Sequence, residues 1–251
     1  MFTVIIATMN SHDQRHRNAH LDDQTLFCGQ QLLRLQKAVY ELCWLFNNGY
    51  ARRSAITLVG DHHQLGKRQR IAIGRAACSD DRKNTRSSKC LKLQQIKNRH
   101  LIIDGFNLII TLEAAIAGAV LLQCHDGCIR DLESVHGTYR QVQETESIIE
   151  MIGCTLAVFD PASVHWLFDK PVSNSGRLTQ LVRKTAELHD WNWQADVHDN
   201  PDRAISVSNQ VAITSDSVIL DAVDQWLNLP AYMLDHYFHD AWLIDLSSQR
   251  E

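Results

Sequence analysis

Asp104 closes Leu101-Ile102-Ile103, a short run of β-favouring apolar residues. It is followed by Gly105 and, three residues on, by Asn107. In an open parallel sheet, ligands bind outside the carboxyl ends of the strands. A carboxylate at that end is therefore aimed at chemistry rather than at packing. The pattern recurs. Trp166-Leu167-Phe168 runs into Asp169, Val211-Ala212-Ile213-Thr214-Ser215 runs into Asp216, and Trp193–Val197 is followed by Asp199 and Asp202. Several strands ending in carboxylates at one edge make an acidic pocket of oxygen ligands, which suits a hard cation such as Mg2+ or Mn2+.

The elements that must position these acids alternate. Strands are expected at 101–104, 164–168, 193–197, 211–214 and 241–246. Helices are expected at 114–122, through a long region 127–152 carrying Arg130, Asp131, Arg140, Glu144 and Glu146, at 178–189, and from Val218 onward. Such alternation predicts a three-layer α/β/α domain with a mainly parallel sheet over residues 100–251. Asp221, on the first turns of the last of these helices, is close enough in sequence to Asp216 to join it as a metal ligand. The loop 170–177 holds Ser173, Asn174, Ser175 and Arg177 at the start of a helix. It is either a phosphate site at a helix N-terminus or an ordinary loop with a Ser cap. No GxGxxG, Walker or Gly-x-Ser-x-Gly pattern occurs, which weakens dinucleotide, P-loop and serine-hydrolase readings. Cys124-His125-Asp126-Gly127-Cys128 lacks a second cysteine pair at zinc-site spacing and reads as chance proximity. His236 and His239 read as surface or packing residues.

The first half has a different character. Residues 1–30 form a polar, His-rich lead-in. Residues 31–46 place Leu32, Leu35, Val39, Leu42, Cys43 and Phe46 on one helical face, and Asn47-Asn48-Gly49 ends that helix. Ser54 is a candidate cap for a second helix, 55–60. A third helix, 65–77, has Lys67, Arg68, Arg70 and Arg75 on its polar side. Three short helices, the last one basic, fit a helix-turn-helix-like domain over 31–99. There Arg52, Arg53, Lys67, Arg68, Arg70 and Arg75 would meet nucleic-acid phosphates; a plain helical bundle is the alternative. Asp61-His62-His63 has no strand before it and carries little weight as a metal or phosphoesterase motif. Residues 78–99, rich in Lys and Arg, read as a linker and helix joining two domains.

The net charge of -4 conceals an asymmetry. Residues 1–100 hold 17 Lys and Arg against 7 Asp and Glu, a net of +10, while residues 101–251 hold 8 against 22, a net of -14. Such a split points to nucleic-acid contact by the basic half. The composition, 45% hydrophobic and 22% charged, is that of a globular chain with enough apolar residues for a sizeable core. Seven cysteines without paired spacing are expected to be reduced thiols in a cytoplasmic protein. The apolar start Met1–Met9 is short and lacks a basic region, unlike a signal peptide. The longest apolar stretch, Leu108–Leu122, is broken by Glu113 and falls short of the ~20 residues a membrane span needs.

With Asp104-Gly105-Phe106-Asn107, Asp169, Asp202 and Ser215-Asp216 in place, the second half resembles the PIN-like nuclease superfamily, in particular the branch whose first strand reads Asp-Gly-x-Asn. Across residues 31–245 the chain resembles the uncharacterised prokaryotic family called domain of unknown function 434. That likeness is carried by Gly49-Tyr50-Ala51-Arg52-Arg53-Ser54-Ala55, Leu58-Val59-Gly60, Arg68-Gln69-Arg70, Asp169–Gly176 and Thr214-Ser215-Asp216-Ser217. The PIN-like resemblance implies a metal-dependent ribonuclease. Asp104 would be the first-strand ligand, Asn107 would orient the scissile phosphate or a metal-bound water, and Asp216 and Asp202 would be further acids, with Asp169 and Asp221 as extra ligands. The helical Glu of that superfamily has no clear counterpart, with Glu144, Glu146 and Asp131 competing for its place. The resulting expectation is an Mg2+- or Mn2+-dependent nuclease acting on RNA, free of membranes, with self-association left open. Two other readings stand beside it: a non-catalytic nucleic-acid-binding regulator, and a Rossmann-like enzyme acting on a small phosphorylated substrate.

Overall fold

A computed structural model describes residues 20–133, 139, 142 and 144–247. Helices come first: α1 (Asp23–Phe27), α2 (Gln30–Asn47), α3 (Arg52–His62), α4 (Lys67–Ala76) and α5 (Asp80–Lys89). Then follow β1 (Cys90–Leu91), β2 (His100–Asp104), α6 (Gly105–Ile116), β3 (Leu121–Gln123), β4 (Ile129–Asp131), α7 (Thr145–Ala157), β5 (Ser163–Asp169) and α8 (Ser175–Leu188). The chain continues through β6 (Trp193–His198), α9 (Pro201–Ser206), β7 (Val211–Ile213), α10 (Ser217–Ala222), β8 (Trp226–Leu227), α11 (Leu229–Tyr237) and β9 (Leu243–Asp245).

Six strands pair in the order β1-β8-β7-β2-β5-β6, every pair parallel. Along β2 the side chains alternate. Leu101 and Ile103 enter the core under α6, α7, α8 and α11, and Ile102 enters the core with α9 and α10 on the other face. Helices therefore cover both faces, as a fully parallel sheet requires. From β2 the chain winds outward to β5 and β6, then returns to lay β7 on the other side of β2. A reversal of this kind opens a crevice at the strand ends. Asp104 and Asp216 stand on its two sides.

Several expected boundaries shift. Helix α6 begins directly after Asp104, and Leu121 and Leu122, expected to end that helix, belong to the strand β3. The expected long helix over 127–152 is in part a strand, because β3 and β4 make an antiparallel hairpin around Asp126-Gly127; Arg140 lies outside the described residues. The last strand, β9, pairs with β3 in a separate three-stranded sheet. Ser54 is no cap: α3 starts two residues earlier, after Ala51. Of the lead-in, residues 20–30 are structured, since Phe27 is buried in the helical core and Asp23 accepts both Arg68 Nε (2.5 Å) and Nη2 (2.9 Å); residues 1–19 lie outside the described residues.

The expected linker is a buried polar joint between the halves. Arg86 of α5, 1% exposed, bonds Asp126 Oδ2 at 2.5 Å, Asp221 Oδ1 at 2.8 Å through Nε and the Ser217 carbonyl at 3.1 Å. Asp126 also accepts Arg130 Nη1 (2.9 Å) and Nη2 (2.7 Å). Burial alone would raise the Asp126 carboxyl, but Arg130 and Arg86 hold it down at about 2. The small sheet shares its core with the helices: Val120, Leu122, Ile244 and Leu246 pack with Leu35, Val39, Leu42 and Ile73.

Gly105 lets α6 leave β2 without a gap. A Cβ there would lie 2.2 Å from the Phe168 ring, which packs edge-on to Phe106 and stacks on Trp166. Gly105→Ala is therefore expected to cost about 1–3 kcal/mol through overpacking, measured by urea unfolding. Unchanged stability would contradict this packing.

Candidate functional site

A cavity of about 450 Å³ opens at the carboxyl ends of β2, β5 and β7. Its walls carry Asp104, Asp169, Asp202 and Asp216, joined by Asp131 and Glu133 from the end of the β3–β4 hairpin. Each acid arrives by a different route. Asp104 is the last residue of β2 and Asp169 the last of β5. Asp202 sits in the first turn of α9, behind Pro201, with Asn200 capping the helix through Arg203 N at 2.9 Å. Asp216 caps α10, its Oδ1 accepting from Val218 N (2.7 Å) and Ile219 N (3.2 Å).

The turn after β7 is locked onto the turn after β2. Thr214 Oγ1 donates to Asp104 Oδ2 at 2.9 Å and accepts from Asp216 N at 3.0 Å. Asn107 Oδ1 accepts from Ser215 N (2.8 Å) and Ser215 Oγ (3.0 Å). Asn107 thus fixes the Ser215-Asp216 turn with its oxygen, and its amide nitrogen is the donor it has to offer the cavity.

Three arginines face the acids: Arg52 from α3, Arg75 from α4 and Arg130 from β4. Arg75 Nη1 reaches the Asp131 carbonyl at 2.5 Å, and its Nη2 reaches the Glu133 carbonyl at 2.7 Å. Arg130 Nε bonds the Ser215 carbonyl at 2.8 Å. Six carboxylates against three guanidiniums leave the cavity acidic. Burial raises the Asp104 carboxyl to about 7, helped by Asp202, Asp216 and Asp169 and opposed by its Thr214 bond. Asp202 is raised by burial, then by Asp216 and Asp169. Asp169 is raised by burial.

The structure thus brings Asp104, Asn107, Asp169, Asp202 and Asp216 together. It separates others. Asp221 faces away, paired with Arg86 and, at 3.4 Å, with Arg82, so it belongs to the joint between the halves and not to the acid set. The loop before α8 does not reach the cavity. Ser173 Oγ and Asn174 Nδ2 donate to the Tyr139 carbonyl (3.3 and 2.8 Å), Ser175 is buried, and Asn174 precedes the helix in a left-handed conformation at φ +66°. None of Ser173, Asn174, Ser175 and Arg177 lines the acid cavity, and the residue at the helix cap position is Asn174, not a Ser.

The basic helix differs from a free groove-reading surface as well. Arg68 is spent on Asp23, Arg70 on Asp61 (2.7 Å) and Arg75 on the hairpin, while Gln69, Ala72, Ile73 and Ala76 are buried. Lys67 and Arg53 are exposed. Arg52 and Arg75 contact the acid cavity instead. Glu133 and Arg130 were not expected as site residues, and Asp131 only as one competitor for the helical acid, because 127–152 was expected to be helical; the turn pair Asp126-Gly127 between apolar flanks was the available hairpin signal.

Among the described residues, one trio brings ligand atoms within 4.8 Å of one another: Glu41, His62 and His63. His63 Nε2 lies 2.7 Å from Glu41 Oε2, and none of the three lines the acid cavity.

Residues 93–232 match the family described as Domain of unknown function (DUF5616), and residues 34–89 match Protein of unknown function (DUF434). The first match spans more than half of the chain. The chain belongs to this DUF434/DUF5616 family. It is 32% identical over 186 residues to Uncharacterized protein MJ0935 of Methanocaldococcus jannaschii, covering 74% of this chain and 88% of that protein. No solved structure matches. The break between the two matches, at residues 90–92, falls on β1, where the helical part hands over to the sheet.

Asp104 supplies a test. Its folded carboxyl lies above the ordinary 3.8, so between those values the native state holds a proton that the unfolded chain has released, and stability falls as pH rises through that window. Asp104→Asn is expected to melt above wild type at about pH 8, with the gap closing towards about pH 4. Parallel melting curves at all pH values would contradict the buried, repelled carboxyl.

Proposed function

We propose that the acid cavity is the active site of a divalent-metal-dependent nuclease of PIN-like type acting on RNA. The observation that carries this reading is the convergence on one cavity of Asp104 and Asp169, which end β2 and β5, with Asp202 from the first turn of α9 and Asp216 from the cap of α10. An all-carboxylate donor set fits Mg2+ or Mn2+. Mg2+ keeps several waters and is held through one or two carboxylates together with substrate phosphates, so no three rim oxygens need touch one ion. Asp104 and Asp216 are the ligands at the centre of the crevice, with Asp169 and Asp202 flanking them. When bound, the ion supplies charge neutralisation on the phosphoryl oxygens and a water of lowered pKa.

The protein's own residues do the rest. Thr214 and Asn107 hold the two central carboxylates in fixed relation through the Ser215 turn. The Asn107 amide is placed to donate to a phosphate oxygen. Asp131 and Glu133, on the facing hairpin, take the place of the helical acid expected from the resemblance. Arg52, Arg75 and Arg130 offset the repulsion that an acidic cavity exerts on a polyanion.

Cleavage of single-stranded RNA is expected to require Mn2+ or Mg2+ and to vanish with EDTA. Asp104→Asn and Asp216→Asn are expected to lower the rate at least 100-fold, on the order of the loss seen when one electrostatic stabiliser is removed, while leaving the fold intact by circular dichroism. Full activity of either variant, or metal-independent cleavage, would overturn the assignment.

A further inference from the structure

A second cavity, about 280 Å³, lies beside the acid cavity and shares Arg52 with it. Its other walls are Phe46, Gly49, Tyr50, Cys78, Ser79 and Arg82. The residues are positioned by two helix ends. Gly49, at φ +77°, turns the chain out of α2, and Tyr50 N bonds back to the Leu45 carbonyl at 3.1 Å. That turn sets Tyr50 half-exposed on the rim and starts α3 at Arg52. Ser79 caps α5 and fixes Arg82 three residues on.

The charge here is of the opposite kind to the acid cavity. Arg52 donates to the Gly74 carbonyl and lies 5.8 Å over the Phe46 ring. Among the described residues it makes no ion pair with a carboxylate. Partial burial and the neighbouring Arg130, Arg82 and Arg86 all act against its charge, so an anion would be stabilised beside it. Arg82 is 60% exposed and only loosely paired, at 3.4 Å, with Asp221. Two guanidiniums beside an accessible aromatic ring are the elements that hold single-stranded nucleic acid, phosphate on the cations and base on the ring.

We propose that this groove is a nucleotide subsite: Arg52 and Arg82 hold a phosphate of single-stranded RNA next to the one in the acid cavity, and the base stacks on Tyr50. The proposal rests on the nuclease reading for the strand's identity. It adds that the helical half completes the substrate site instead of acting as a detached nucleic-acid-binding module.

The test is fluorescence anisotropy of a labelled oligouridylate with the full-length chain in EDTA, where binding is read without cleavage. Wild type binds. Arg52→Gln and Tyr50→Ala each weaken binding roughly tenfold or more, in the range of one lost stacking or phosphate contact, with unchanged melting temperatures. Tyr50→Phe binds as wild type, because the ring and not the hydroxyl is used. Inorganic tripolyphosphate competes with the labelled strand on Tyr50→Phe and on wild type alike, and loses its grip on Arg52→Gln. No binding by wild type, or equal binding by Arg52→Gln, Tyr50→Ala and wild type, overturns the subsite. Metal-dependent cleavage is assayed separately, so a chain that binds through the groove and never cuts would sink the nuclease reading alone.

Discussion

Like charges held together at the ends of parallel strands are the constraint on which this structure turns. Asp104 is only 7% exposed and feels three other carboxylates. A buried carboxylate without compensation is costly. The fold offsets that cost with hydrogen bonds and cations placed around the acids. Thr214 donates to Asp104, Asn107 fixes the neighbouring turn, and Arg130 ties the Ser215 carbonyl to the β3–β4 hairpin. Repulsion remains after these bonds, and the proposed divalent ion would relieve it.

The same principle explains the charge split between the halves. The basic half does not spread its arginines over a free surface. Arg68 closes on Asp23 and Arg70 on Asp61, Arg75 grips the hairpin, and Arg86 enters the body of the protein between Asp126 and Asp221. Arg68 and Arg70 are thus spent within the basic half, while Arg75 and Arg86 are counter-charges for the acidic half. Truncating one partner of a buried pair such as Arg86–Asp126 leaves an uncompensated charge behind, so the two halves are coupled electrostatically as well as through the shared apolar core of helices and small sheet.

How much of this was legible follows from the physics of each segment. The strand ends were readable because an apolar β-run ending in an acid is a local pattern: Leu101–Asp104, Val164–Asp169 and Val211–Ile213 all became neighbouring strands. The amphipathic α2 was readable from its period. The β3–β4 hairpin was not, since strands of three residues carry almost no periodicity and Leu121–Gln123 continues an apolar helix in sequence. The role of Arg86 was hidden too. A single arginine in a run of Lys, Arg and Ser looks solvated, and only tertiary packing places Asp126 and Asp221 on it. Asp221 was drawn to the acid set by its nearness to Asp216, but Asp216 caps α10 and Asp221 lies on its last turn, facing α5. The Ser173–Arg177 loop offered phosphate-binding chemistry, yet Ser173 and Asn174 donate to the Tyr139 carbonyl and none of the loop's residues lines the acid cavity.

The central claim is that the converging acids hold a divalent ion, and calorimetric titration of the purified full-length protein with Mn2+ near neutral pH measures that directly. The account predicts saturable binding by wild type that is lost in both Asp104→Asn and Asp216→Asn and kept in a variant of Glu41, which lies outside the cavity. Binding that survives both aspartate substitutions, or that disappears with Glu41 instead, would contradict it.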